Sequence, residues 1–575
     1  MCGIVGVVSK TKDIHRLVRE MNLTQTQRGP DDSGYFSHEI TALGMTRLAI
    51  RDIDGGHQPM TIGSHTIVFN GEIFNSGPLR SELLSDELFC SSHSDTEVLL
   101  RLYIRYGVDA IRLLNGMFAF AVYDNTTKKL VLVRDRFGIK PLYYSFQDEN
   151  FLFASTIDAI KKNLGKRLNL DNDSLSHFFS IGYIPSPLTI YKEVRKLNAG
   201  EYIEINSSTL EHCQKSWSTT LSERQIKPFN KDKLEACFSN AVERWSISDV
   251  PYCYLLSGGL DSTSLLSFDS SNELDAYTLG FPKPQELWDE TDKAYEYARF
   301  FGSHLNRIEF DFSLEFIKEC LTAYEQPFSD GFLTYPLFKE LSKNYNVAIS
   351  GTGGDELFGG YGRAALLRNK KIDFQTFKLD FFRKIYTDDP LKKIIFNQNK
   401  GKLTKNLSLD YLWNSFNRQY AKTNDLDLSV MLMQIETQLA NDYLDYTDKF
   451  SMKFSVECRT PFLDVELFQY ILSLSSEERV SDNLNKKLLQ VISKSKTNIV
   501  PLAKKGLNPP ISIYLRDKIK YSLSEIANKL EPYIKLGDIQ DIDVTFMSGD
   551  NETLISRWRL LMFEQWLSIN NDYIN

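Results

Sequence analysis

Cysteine is the second residue of this chain, in "MCGIVGVV". That position gives it chemistry no internal cysteine has. Removal of Met1 is expected before so small a side chain, and it leaves Cys2 with both a thiol and a free α-amine. A thiolate is a strong nucleophile, and an α-amine of pKa near ~7.7–8.0 can take the thiol proton directly or through water. Taken alone, Cys2 reads equally well as a buried thiol at the start of a strand. A second chemical signal is "SGGLDS" at 257–262, which follows a strand-like run and opens a helix. Backbone N–H groups of Ser257, Gly258, Gly259 and Ser262 at such a helix start can cradle phosphates. Asp261 can hold Mg²⁺, which commonly uses one or two carboxylates plus phosphate oxygens. No GKS or GKT follows, so this is not a Walker loop. A second Gly-rich loop, "SGTGGDELFGGY" (350–361), offers Asp355 as a further carboxylate.

The elements that must position these residues fall into two patterns. Up to about residue 205, short runs rich in β-branched and aromatic residues alternate with polar turns, as in "HTIVFNGEIF", "MFAFAVYD" and "KLVLVRD". "DNTTKK" reads as a hairpin connection, and "IHRLVREMNLTQ" and "DTEVLLRLYIRYG" as helices. Hairpin strands with a few helices predict an antiparallel α+β layer fold over 2–205. The polar stretch 206–230 reads as a linker with room for one strand. From 231 to 575 strands alternate with helices ("YCYLL", "DAYTLGF", "NVAIS"), and the last third is mostly helical. This predicts an α/β, doubly wound parallel sheet with a largely helical C-terminal part, its ligands outside the carboxyl ends of the strands.

Bulk properties bound the function. The 575 residues need more than one core, and the composition (42% hydrophobic, 25% charged) is that of folded domains. A net charge of -8 without a dense basic stretch argues against a nucleic-acid binder. No run approaches the ~18 apolar residues of a membrane helix, and "CGIVGVV" lacks the basic flank of a signal peptide. A cytoplasmic protein is expected. The seven cysteines form no CxxC pair, so neither a disulfide framework nor a zinc site is expected.

Five further motifs follow Cys2 in order: "RGPDDSG" from Arg28, "RLAIRD" from Arg47, "FNGEIFN" from Phe69, "SDTEVLL" from Ser94 and "RDRFGIKPLYY" from Arg134. Together they resemble the glutaminase domain of the class II, N-terminal-nucleophile glutamine amidotransferases. The resemblance implies an αββα sandwich. It also implies Cys2 as nucleophile, with Asn70 and the Gly71 N–H as oxyanion donors. Arg47 would bind the glutamine α-carboxylate and Asp95 its α-ammonium, with Glu72 nearby. Arg28 is open between ordering the site and a structural ion pair. The later motifs "SGGLDS", "TDKFSM", "VECRTPFLD", "NKKLLQ" and "KKGLNPP" resemble the ATP-pyrophosphatase domain of the asparagine synthetase family. By that resemblance Leu255, Leu279, Ser350 and Gly351 line the adenosine side. Asp261 and Asp355 take Mg²⁺, and Lys486 stabilises charge during adenylation.

The combined expectation is an ATP- and glutamine-dependent amidation of a carboxylate through an acyl-adenylate. Ammonia released at Cys2 would pass through a dry interior, and a homodimer is compatible with the family. One position departs from the pattern. Dedicated asparagine synthetases usually read SGEG where this chain reads "SGTG", and the hydroxyl of Thr352 cannot replace a carboxylate as general base near pH 7. Aspartate is the first expected acceptor and a sugar uronic acid the second. Intramolecular ring closure and a catalytically idle scaffold rank lower.

Overall fold

Every residue of the strand Cys2–Ser9 is buried. A strand apolar on both faces belongs in the middle of a layered structure, and the computed structural model puts it there. The structure describes residues 2–89, 91, 93–218, 224–271, 273–282, 291–310, 312–361, 394–396, 405–481, 485–497, 511, 523–536 and 551–575. Cys2–Ser9 pairs antiparallel with Thr41–Arg47 on one side and with Asn150–Ala154 on the other. Asp32–His38, Tyr143–Gln147 and Arg195–Lys196 complete this six-stranded sheet.

A second six-stranded antiparallel sheet has Gly116–Asp124 and His65–Ile73 near its centre. Cys2, Ile4 and Val8 pack between the sheets against Val68, Ala119 and Leu132. Val5 and Val7 point the other way, onto Leu17 and Met21 of the helix Ile14–Thr24. The second sheet is covered in turn by Val98, Leu99 and Leu102 of Asp95–Tyr106. Helix, sheet, sheet, helix is the expected αββα order. Asp13 starts the first helix by accepting from the N–H groups of His15 and Arg16, a cap typically worth ~0.5–2 kcal/mol.

The segment after residue 205 contributes more than a connection. His212–Ser216 is an exposed edge strand of the second sheet, paired with Glu201–Asn206. None of its residues is buried, so it has no apolar alternation for a sequence reading to find.

The C-terminal portion is built on a parallel sheet ordered His304–Glu309, Asp275–Gly280, Tyr252–Leu255, Val347–Ile349, Glu457–Arg459. Tyr252–Leu255 has neighbours from later in the chain on both sides, which makes it the topological switch point. Both Gly-rich loops leave the carboxyl ends of the strands at this point, where open α/β sheets bind ligands. Long helices follow, among them Lys405–Thr423, Leu426–Gln434, Leu444–Met452 and Asn551–Asn570. No helix among the described residues is long and apolar enough to cross a membrane, and all six described cysteines are free.

Candidate active sites

The first candidate site forms where two antiparallel strands end side by side. The Cys2 backbone N–H donates to Asn70 Oδ1 at 3.0 Å. Asn70 is fully buried, and its Nδ2 has no partner. A buried donor without a partner is costly, at ~1–3 kcal/mol, and marks a place for an acceptor. Gly71 follows at φ +153°, and a Cβ there would overlap the Met117 carbonyl oxygen. Only glycine brings its N–H this close to the neighbouring strand. Burial raises the Cys2 thiol pKa, opposed by the positive chain terminus, a hydrogen bond from Leu48 and Arg47. The thiol is therefore protonated at rest.

Arg47, Glu72 and Asp95 converge nearby. Arg47 donates to the carbonyls of Arg51, Asp52 and Ile53, which holds the 51–53 loop against the pocket. Asp95 begins its helix and accepts from Ile73 N–H at 2.9 Å. Glu72 pairs with Arg51 at 2.6 Å. Burial and the charge of Asp95 push Glu72 up to about 8, with Arg51 and Arg459 opposing. Asp95 is also raised by burial. Arg51 belongs to this cluster although sequence reasoning gave it no role; it is the second arginine of "RLAIRD".

Arg28 does both things left open for it. Its Nε donates to the Cys2 carbonyl at 3.2 Å, and its two terminal nitrogens fork onto Asp448 at 2.9 and 3.2 Å. Asp448 is the aspartate of "TDKFSM", 420 residues away in sequence. Lys140 approaches the same carboxylate at 3.5 Å. A second junction joins Asn115 to Asp464 at 2.9 Å, with Asp464 also bound by Arg244 at 2.7 Å. Between these ties the core is continuous. Phe74, Met117, Phe137 and Ile139 share one apolar cluster with Ile349, Phe462 and Leu463.

The second candidate site surrounds the Gly-rich loops. Gly258 has φ +73°. Gly259 N–H donates to Ser257 Oγ at 3.3 Å, and Ser257 N–H to Ser262 Oγ at 3.2 Å. The second loop closes on the first: a Cβ at Gly351 or Gly354 would lie 3.0 or 2.8 Å from the Asp261 side chain. Ser350 and Thr352 share a hydroxyl hydrogen bond at 2.9 Å. Leu279 lies on the strand beside Leu255, whose register partner there is Tyr277.

Lys486 joins the two loops. Its Nζ lies 2.6 and 2.5 Å from the two Asp261 oxygens and 2.7 Å from Asp355 Oδ1. Burial lowers the ammonium pKa, but Asp261 and Asp355 outweigh it and the net shift is upward. Lys486 holds φ 54° and ψ 44°, a left-handed conformation rare outside glycine. Strain of this kind, ~1–3 kcal/mol, concentrates at functional sites. Two carboxylates within reach of one cation also suit Mg²⁺ bound together with phosphate oxygens. Among the described residues no group of three or more His, Cys, Asp or Glu gathers for a metal. Phosphate oxygens and water would then complete the coordination sphere.

Glu356 was not signalled by sequence. Burial, with Asp355 adding to it, pushes Glu356 up to about 7 against a hydrogen bond from Tyr361. The "KKGLNPP" motif lies outside the described residues. In "PFSDGFLTYPLF", Phe328, Phe332 and Leu333 are core residues.

Comparison with known proteins agrees with this division. A family model of the glutamine amidotransferase domain matches residues 1–217, and one of asparagine synthase matches 233–568. The chain is 29% identical over 629 residues to asparagine synthetase [glutamine-hydrolyzing] 1 of Bacillus subtilis, covering 99% of this chain and 97% of that protein. It is 30% identical to asparagine synthetase 3 of the same organism, covering 85% of this chain and 84% of that one. A putative asparagine synthetase 2 of Methanocaldococcus jannaschii is 33% identical, covering 68% of this chain and 81% of that protein. The asparagine synthase model alone spans more than half of the sequence. The chain therefore belongs to the asparagine synthase family and is a glutamine-hydrolysing, amide-forming ligase.

Proposed function

We propose that the protein converts aspartate to asparagine, using ATP to activate the side-chain carboxylate and glutamine as the source of ammonia. The observation that carries this reading is the presence of both half-sites in one molecule, joined by a continuous apolar core. Ammonia is mostly ammonium in neutral water, and a dry path keeps it nucleophilic.

At the first site Cys2 attacks the glutamine amide carbon. Because the buried thiol is protonated at rest, a base must take its proton as attack begins. The α-amine exposed by removal of Met1 is that base. Asn70 Nδ2 and Gly71 N–H hold the oxyanion, donors commonly worth ~3 kcal/mol of barrier each. Arg47, Asp95 and Glu72 orient the amino-acid end of glutamine. At the second site the 257–262 loop binds the ATP phosphates. Leu255, Leu279, Ser350 and Gly351 flank the adenosine. Asp261 and Asp355 would hold Mg²⁺, which would supply positive charge to the triphosphate, and Lys486 balances the charge that develops as pyrophosphate leaves. Cys2→Ala is expected to abolish glutamine hydrolysis while leaving amidation with added ammonium salts. Glutamine hydrolysis surviving in that variant would remove Cys2 from its role.

Thr352 favours a second reading of the acceptor. A hydroxyl where dedicated synthetases usually carry glutamate points to a carboxylate other than aspartate, with a sugar uronic acid the next choice. Pyrophosphate release measured over a panel of carboxylates separates the two: a strong signal with aspartate supports the first reading. A signal only with a uronate supports the second.

A further inference from the structure

Asp442 is 6% exposed, in the π-helical stretch Ile435–Tyr443. Among the described residues no hydrogen bond or ion pair reaches its carboxylate. Asp445, three residues on, is different: Lys196 lies 2.6 Å from it and the Tyr324 hydroxyl 3.0 Å. Asp442 instead faces Asp330. Burial, then the charges of Asp330 and Asp445, hold Asp442 well above the usual carboxylate range, with Arg559 opposing. Arg559 is partly committed elsewhere, donating to the Phe179 carbonyl at 2.7 Å. Asp330 is exposed, and the protein packed around it raises its carboxyl above the usual range, with the Gly331 N–H opposing. Its only hydrogen bond among the described residues is the short local one from Gly331 N–H, at 2.7 Å.

Two tyrosines lie beside these carboxylates. The rings of Tyr443 and Tyr446 are 5.9 Å apart and steeply inclined. Gln438 fixes Tyr443 by donating to its hydroxyl at 2.8 Å. Gly331 lies so close to the Tyr446 ring that a Cβ would overlap it. The group continues to Glu356 and Tyr361, joined at 2.6 Å. Asp355, next in sequence to Glu356, is the carboxylate paired with Lys486. This acidic, tyrosine-flanked group thus adjoins the candidate adenylation site.

An anion would be repelled by Asp330 and by an ionised Asp442, and a neutral hydroxyl would leave Asp442 in the protonated form that burial favours. An ammonium group suits both features. It pairs with the carboxylates, and it lies against ring faces that attract cations. Resting on the reading of this protein as an ATP-dependent, amide-forming ligase, we propose that Asp442 and Asp330, flanked by Tyr443 and Tyr446, bind an ammonium group of the acceptor. The acceptor is then an amino-bearing carboxylate rather than a neutral one, which retains aspartate and excludes plain uronic acids.

The test is ATP–pyrophosphate exchange by the full-length protein with paired carboxylates: aspartate against succinate, and an amino-uronate against the uronate that lacks the amine. The amino member of at least one pair is expected to support exchange at least ~100-fold better in kcat/KM, as for sites that reject a substrate lacking a required polar group. In Asp442→Asn this preference should collapse through a raised KM for the amino acceptor, with the KM for ATP unchanged. Thermal melting checks that the variant is folded, and if it is not, the wild-type pairs decide alone. A neutral carboxylate that exchanges as well as its amino counterpart overturns the ammonium pocket and leaves the amidation reading standing. Exchange with neither class overturns both.

Discussion

Glu72 and Asp95 are two buried carboxylates sharing one arginine, and that sharing sets a pH dependence. In the unfolded chain Glu72 ionises near its ordinary value of 4.5, while in the folded protein it keeps its proton up to about 8. Between those values the folded state binds more protons than the unfolded state. This group's contribution to stability therefore falls as pH rises from about 4.5 and levels off above about 8. The charge needed to hold the glutamine ammonium appears over the same upper range. The KM for glutamine should fall as pH rises through about 8, and Glu72→Gln should flatten that profile. A wild-type profile already flat between pH 7 and 9 would remove Glu72 from ammonium binding. The candidate residues of this pocket were legible in sequence because each lies in a short motif resembling the glutaminase domain, and the fold brings them together. Arg51 was not, because its part is to tune two carboxylates that meet only after folding.

At the scale of elements, the Gly-rich loops work by allowing side chains to approach where a Cβ would block them. A Cβ at Gly360 would overlap Asp355 Oδ1 and Lys486 Cε. Gly360→Ala should disturb the Lys486–Asp355 pair and lower pyrophosphate release at least ~10-fold while sparing glutamine hydrolysis. Parallel loss of both activities would point to general misfolding instead. Three strands of the parallel sheet were readable as short apolar runs, two of them leading into glycine-rich loops, whereas His304–Glu309 and Glu457–Arg459 were not, their sequences being polar. The hairpins Gly116–Asp124 with Lys129–Arg134 were readable for a similar reason, since a polar turn separates two apolar strands. The edge strand His212–Ser216 was legible only as room for one strand in a polar stretch, since an exposed edge carries no apolar face. The π-helical stretch Ile435–Tyr443 was not legible, because it continues the apolar pattern of its neighbours and differs only in hydrogen bonding.

Across the whole molecule, Arg28 ties the peptide of Cys2 to a helix of the other half. Its pair with Asp448 is almost fully buried on both sides. Removing one member of a buried pair leaves the other charge uncompensated, typically at ~3–5 kcal/mol. Lys140 remains near Asp448, so Arg28→Met should fall at the low end of that range. The more telling readout is coupling. The ratio of glutamine hydrolysed to amide formed should rise well above that of the wild type, and an unchanged ratio would make Arg28 a purely structural tie. No sequence motif predicts this contact, because its two ends belong to separate signatures.

The strand Glu457–Arg459 divides two chemistries by the alternation of its side chains. The charge of Glu457 acts on Cys2, Glu72 and Asp95, whereas the Cys458 thiol, pushed up to about 12 by burial, is hydrogen-bonded to Ser350 of the ATP-side loop. Successive residues of a strand face opposite ways, so the strand acts as a two-sided printed page whose text depends on parity. Inserting one residue between Glu457 and Cys458 would bring both side chains to the same face, so that one of the two sites loses its letter. Inserting a residue in the turn between Met452 and Glu457 leaves the parity intact.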